Sequence, residues 1–204
     1  VGRILTPYNL FPTPVFKFTI DRSFTDEELV FISELCKECN NSNMASKDRY
    51  VLNRAELSSI KNFIVKSLDQ YFREVYVPKK DVYLRITQSW FNYTSPGQSH
   101  HQHSHSNSFV SGVLYTKASR DRDRINFYNT KQEQIEIASE EWNIYNMKSC
   151  WFDVHEGDLL LFPSSLPHSV DALKEGERIS LAFNTFPVGL IGNETNSTGL
   201  HLKK

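Results

Sequence analysis

Cysteine is scarce in this sequence, long apolar runs are missing, and charge of neither sign prevails. Three cysteines in 204 residues, an odd number, suit a reducing cytoplasm better than a disulfide scaffold. Cys36 and Cys39 form a Cys-x-x-Cys, but Cys150 is their one further partner, whereas a structural zinc usually takes two such pairs. Both lie in a helical pattern and are read as core residues. No apolar run reaches the 18 residues of a membrane span, so no membrane association is expected. Val1–Leu10 lack a charged region followed by an apolar stretch, so no leader is read there. The 23 basic and 24 acidic side chains leave a formal charge of −1. That balance lacks the basic footprint of a nucleic-acid binder. Repeats and low-complexity linkers are also missing, which favours one domain over residues 1–204. Nothing in the sequence sets an oligomeric state.

The order of periodicities suggests the architecture. Thr25 and Glu28 have the form of a capping box, followed by Leu29, Ile32, Cys36 and Cys39 at helical spacing. A second helix is expected after Asn53, with Leu57, Ile60, Ile64, Leu68 and Tyr71 along one stripe. The two form a supporting layer over about residues 24–75. From Asp81 the period changes to two. Val82, Leu84, Ile86, Gln88 and Trp90 alternate with Tyr83, Arg85, Thr87, Ser89 and Phe91. Further strands are expected at Phe109–Lys117, Arg124–Tyr128, Trp142–Val154, Asp158–Phe162, His168–Ala172 and Arg178–Phe186. Ser119–Arg124, with its alternating Arg and Asp, is read as a solvated turn. Many short strands after a helical start predict a mainly β fold, an antiparallel barrel or jelly roll, over about residues 81–187.

Histidine is what the chain concentrates. Of seven, His100, His101, His103 and His105 fall within six residues. In an extended segment residues i and i+2 point to the same side, so a His-x-His pair can offer two imidazoles to one metal. His103 and His105 fit this, and His101 and His103 fit it less well. A lone His168 follows an apolar strand, and Arg178 comes ten residues later. A turn near Glu175-Gly176 would set Arg178 opposite a residue three to five positions beyond His168. That is roughly 10–17 Å along a strand, leaving room for a small dicarboxylate between metal and guanidinium. Arg binds a carboxylate through a planar fork and stays charged.

Tyr93-Thr94-Ser95-Pro96-Gly97, His103-x-His105, Ser111-Gly112-Val113-Leu114-Tyr115, Pro167-His168 and Arg178-x-Ser180 together resemble the iron(II)/2-oxoglutarate oxygenases. The nearest likeness is to a group with His-x-His before a Ser-Gly-Val-x-Tyr strand, and more distantly to the prolyl hydroxylases. It runs from about Trp90 to Phe186, and Leu10–Phe16 also looks like that group's start. The resemblance implies a double-stranded β-helix and an enzyme using Fe(II), 2-oxoglutarate and O2. Such an enzyme hydroxylates a small-molecule or peptide substrate and releases succinate and carbon dioxide. It also implies His103, His105 and His168 as metal ligands, with Arg178, Tyr93, Tyr115 and Ser180 around the cosubstrate. Trp90, Asn92 and Asn184 are candidate pocket residues; His100, His101, His155 and His201 are not expected to ligate.

One position departs from the usual pattern. Most such oxygenases carry a carboxylate two residues after the first His, where this chain has His105; a 2-His-1-carboxylate face is the familiar iron(II) arrangement. Either His105 makes a three-His face, or His105 comes first with Asn107 as a weak ligand, or a distant carboxylate such as Asp153 completes the site. The departure keeps two other classes open, a cupin-like metal protein and an inactive binding module.

Overall fold

The switch of period near residue 81 marks where helices give way to a β-sandwich in the computed structural model, which describes residues 7–130, 135 and 137–203. Residues 1–6 of the stretch read for a leader lie outside these. Twelve strands are assigned among the described residues: β1 (Phe16–Thr19), β2 (Lys37–Asn40), β3 (Asn43–Ser46), β4 (Tyr83–Thr94), β5 (His100–His103), β6 (Val110–Lys117), β7 (Arg124–Tyr128), β8 (Ser149–Asp153), β9 (Asp158–Pro163), β10 (His168–Val170), β11 (Arg178–Ile191) and β12 (Leu200–Leu202). The major sheet runs β1-β9-β6-β11-β4-β3-β2, with β12 added to β11; the minor sheet runs β5-β10-β7-β8. All of these strand pairs are antiparallel. From β4 to β11 the chain passes back and forth between the two sheets, with one hairpin, β7–β8, inside the minor sheet, which is the expected double-stranded β-helix.

Two helices lie against the outer face of the major sheet. The first, α1 (Asp26–Glu34), starts at the predicted capping box: Thr25 accepts from the Glu28 N–H and Glu28 reaches back to the Thr25 N–H. It ends at Leu35, which is extended. Cys36 and Cys39 are therefore outside the helix, Cys39 within β2, and both are exposed. Their helical spacing was coincidental, and the core reading fails. The second helix, α2 (Ser58–Tyr76), begins later than expected, after two short 3₁₀ turns. Its predicted stripe of Ile60, Ile64, Leu68 and Tyr71 is buried.

Alternation along the strands produces two cores. Phe91, Tyr93, Leu114, Leu159, Leu161 and Leu181 face the helices. Tyr115, Ile125, Phe127, Leu160 and Phe162 fill the space between the sheets. The predicted strand Trp142–Val154 is shorter, only Ser149–Asp153, because Trp142, Ile144 and Tyr145 lie in an exposed connection. The longest strand, β11, pairs with β4 on one side and β6 on the other. That central position carries Arg178.

Among the described residues, no helix is long and apolar enough to cross a membrane.

Candidate functional site

The minor sheet brings the histidines together. In its register His168 on β10 pairs with His103 on β5 and with Phe127 on β7. Laterally paired residues point to the same side, so both imidazoles enter the space between the sheets. Just after β5 the chain turns, and the His105 N–H donates to the Ser164 carbonyl at 2.9 Å. Beneath this turn the hydroxyls of Ser108, Ser111 and Ser164 form a chain, and Ser111 donates to Asn184 Oδ1 at 2.8 Å. Asn184, a candidate pocket residue, thus supports the loop that bears His105.

One ring nitrogen from each of His103, His105 and His168 lies within 4.8 Å of the other two. The ring of His100 is 4.5 Å from that of His103, nearly as near as His168 at 4.3 Å. Among the described residues, however, only the three nitrogens of His103, His105 and His168 converge. Hydrogen bonding sets two of the tautomers. His103 Nδ1 lies 2.8 Å from the His101 carbonyl and His168 Nδ1 lies 3.0 Å from the Leu166 carbonyl. A carbonyl only accepts, so each Nδ1 carries the proton and each Nε2 keeps a lone pair. Burial, with the neighbouring imidazoles, lowers the pKa of His105 to about 3 and that of His168 to about 4. His103 is lowered as well, chiefly by burial. The cluster is therefore neutral at pH 7, the state in which imidazole binds a metal.

Neither alternative third ligand is in the cavity. Asp153 is exposed on β8, paired with Arg124. Asn107 sits in an exposed turn with φ +53°.

Across the cavity the major sheet presents rows of side chains. Asn92, Ser180 and Tyr115 lie side by side on β4, β11 and β6, and Trp90, Ala182 and Val113 form the next row. Arg178 begins β11 beside Thr94. Two buried polar atoms in this wall, Tyr115 Oη and Asn92 Oδ1, have no hydrogen-bond partner. Such atoms are costly unless a water or ligand meets them. Tyr93 is different. It alternates to the helical side of β4, and its hydroxyl donates to the Ile32 carbonyl at 2.6 Å. The expectation that Tyr93 touches the cosubstrate is thus corrected; Asn92 and Thr94 occupy the cavity wall instead.

Arg178 lies in the same cavity but not through the expected hairpin, since β10 and β11 belong to different sheets. Its side chain nevertheless reaches the carbonyl of Asp171, three residues beyond His168, at 3.4 Å. Its other amino group donates to Asp123 Oδ1 at 3.0 Å. Both side chains of this ion pair are buried, 5% and 1% exposed. The Ser119–Arg124 segment read as a solvated turn therefore holds one buried acid, which sequence reasoning missed. Of five guanidinium N–H groups, these contacts engage two, leaving the rest for a ligand.

A three-nitrogen cluster opposite a buried guanidinium and an unpartnered phenol fits a metal ion with a chelating dicarboxylate between them. The family comparison agrees with that chemistry, and the structural comparisons agree with the fold. Residues 88–184 match the family model described as "Putative 2OG-Fe(II) oxygenase". A 2OG-Fe(II) oxygenase family oxidoreductase from Burkholderia pseudomallei has 13% identity and a TM-score of 0.59, over 84% of this chain and 83% of its own. HygX from Streptomyces hygroscopicus, solved with nickel and 2-oxoglutarate bound, has 13% identity and a TM-score of 0.60, over 85% and 82%. A Pseudomonas putida prolyl-4-hydroxylase has 16% identity and a TM-score of 0.53, over 85% and 92%. No protein of curated function matches the sequence.

Proposed function

We propose, from the match of residues 88–184 to the 2OG-Fe(II) oxygenase family model, that the chain is a member of that family, that His103, His105 and His168 hold its iron, and that Arg178, Tyr115 and Ser180 hold 2-oxoglutarate. The enzyme uses Fe(II), 2-oxoglutarate and O2; once bound, these supply the oxidising chemistry, releasing succinate and carbon dioxide. The observation that carries the ligand assignment is the convergence of three neutral imidazole nitrogens within 4.8 Å.

This chain's own residues do the rest. The carbonyls of His101 and Leu166 hold two imidazoles in the tautomer that exposes Nε2. Arg178 turns its remaining N–H groups to the distal carboxylate of the cosubstrate. Tyr115 donates the hydroxyl that is otherwise unpartnered, and Ser180 stands between the two on the same face. Ile125, Phe162 and Val113 line the cavity and exclude water, which strengthens each of these charged contacts.

The substrate is a small molecule or peptide whose C–H bond is hydroxylated. The chain works as one domain, and its free thiols suit the reducing cytoplasm. The test is succinate release from 2-oxoglutarate with Fe(II) and O2. Wild type is expected to form succinate slowly even without substrate, and His168→Ala none. No succinate from iron-loaded wild type that binds 2-oxoglutarate would make the chain a binding module.

A further inference from the structure

A three-His face gives the iron no negative protein ligand, yet a buried carboxylate, Asp123, is paired with Arg178, which lines the same cavity. Asp123 Oδ1 accepts from the guanidinium at 3.0 Å, and Oδ2 accepts the Ser119 N–H at 2.8 Å. The carboxylate is held by a tight turn, in which the Asp123 N–H also donates to the Ser119 carbonyl. The chain on its other side is tied to it by the Val154 N–H, which donates to the Asp123 carbonyl at 3.0 Å, and Val154 and Ile125 are buried. Of the other acids of the region, Glu175, Glu177 and Asp171 pair with Arg122, Lys117 and Arg124, and the buried Asp158 pairs with Lys17.

We propose that Asp123 is the counter-charge of this three-His site, moved from the metal to the far end of the cosubstrate. Formal charge supports this. Two positive charges on iron and one on Arg178 exceed by one the two negative charges of 2-oxoglutarate. Asp123 brings the loaded cavity to neutrality. An aspartate in the position of His105 would have done the same from the metal side. Asp123 is a positioning residue: it acts on the cosubstrate through Arg178. It keeps a buried guanidinium compensated before the ligand arrives, since an unpaired buried charge is strongly destabilising. It also weakens the hold on any dianion, because its carboxylate and the ligand's face the same guanidinium. Succinate is such a dianion and carries the same distal carboxylate, so Asp123 favours product release.

The inference rests on the reading that Arg178 receives the distal carboxylate, and the two are tested separately. Zinc(II)-loaded protein, which does not turn over, is titrated calorimetrically with 2-oxoglutarate and with 2-oxobutanoate, which lacks the distal carboxylate. Wild type should prefer 2-oxoglutarate. Asp123→Asn should bind it tighter still, about 15- to 30-fold, the size of one unit charge roughly 8–10 Å away at an effective dielectric constant near 20. Its affinity for 2-oxobutanoate should change by less than about threefold, and Asp123→Glu, which keeps the charge, should stay within about threefold of wild type for both acids. A second readout is thermal: metal-free Asp123→Asn should melt lower than wild type, and 2-oxoglutarate should raise its melting temperature more. A variant that folds only with 2-oxoglutarate present is the same result in stronger form. If wild type discriminates but Asp123→Asn binds 2-oxoglutarate equally or more weakly, or no concentration of the acid recovers its fold, Asp123 only supports the fold and the proposal is overturned. If wild type binds both acids equally, the anchor reading of Arg178 falls first.

Discussion

His103 and His168, 65 residues apart in the chain, are directly opposed across β5 and β10, with their rings 4.3 Å apart. Each is locked by its own Nδ1 to the carbonyl two residues earlier. The metal face is thus part of the minor sheet's register. His105 reaches it differently, from a turn held by Ser164.

That difference ranks the ligands. His103→Ala or His168→Ala should lose iron(II) first and 2-oxoglutarate as a consequence. His105→Ala should leave a two-nitrogen site with weaker metal affinity, and His105→Asp should restore it, since a carboxylate also suits iron(II). His201→Ala, far along β12, should bind like wild type. Metal content after dialysis against defined free Fe(II) checks the series. Full iron occupancy in His105→Ala would remove that residue from the ligand set.

The motif was legible because its parts are few and their spacings carry geometry. His-x-His, a lone His opening a strand and an Arg ten residues on each stand out in a chain with seven histidines. Facing was harder to read. Along β4 both faces are largely buried toward its end, so alternation alone did not say whether Tyr93 or Asn92 points to the cavity. Packing of Tyr93 against Ile32 and Met44 decides it. Asp123 was hidden for another reason. It sits among Arg120, Asp121, Arg122 and Arg124, and local composition reads all of them as solvated. Its burial comes from Arg178, 55 residues away and on another strand. The first helix was overextended because Cys36 and Cys39 continue its period, while pairing of β2 with β3 takes them into a strand.

Arg178 should prove the anchor for the distal carboxylate. Charged hydrogen bonds contribute about 1.5–3 kcal/mol, so Arg178→Ala should weaken 2-oxoglutarate binding roughly 10- to 150-fold while iron binding stays near wild type. Arg178→Lys should recover part, since a point charge lacks the paired fork. Removing the guanidinium also leaves Asp123 unpaired, so the melting temperature is recorded beside the titration. Equal 2-oxoglutarate affinity in wild type and Arg178→Ala would assign the carboxylate to another partner.

The metal-free protein should lose stability as pH falls from about 6.5 towards 4. His168 has a folded pKa of about 4, below its value of about 6.5 in an unfolded chain. Between these values the unfolded state takes up a proton that the folded state refuses. The stability contribution is therefore present above pH 6.5 and lost below it. For His168 alone the loss by pH 5 is about 2 kcal/mol, or roughly 4–8 °C in a domain of this size. Melting curves of wild type and His168→Gln without metal, taken at pH 7 and pH 5, isolate this part from the carboxylates. Parallel declines in the two proteins would show that His168 is not held neutral by the fold.

Tyr115→Phe separates a ligand contact from a fold contact by sign. Tyr115 is buried, its row-mate Ser180 faces the cavity, and its hydroxyl has no partner. A buried hydroxyl without a partner carries a desolvation cost of about 1–3 kcal/mol, so deleting it should leave the ligand-free protein as stable as wild type or more so. With 2-oxoglutarate present the same hydroxyl donates to a carboxylate, and its loss should weaken binding roughly tenfold. A tyrosine that merely packs between the sheets would show the first effect alone, because Phe keeps the ring against Ile125 and Phe162 and no ligand contact is lost. The measurement pairs ligand-free melting with calorimetric titration of the zinc(II)-loaded protein. Lower stability together with unchanged 2-oxoglutarate affinity would place the hydroxyl in the fold and take it out of the cosubstrate site.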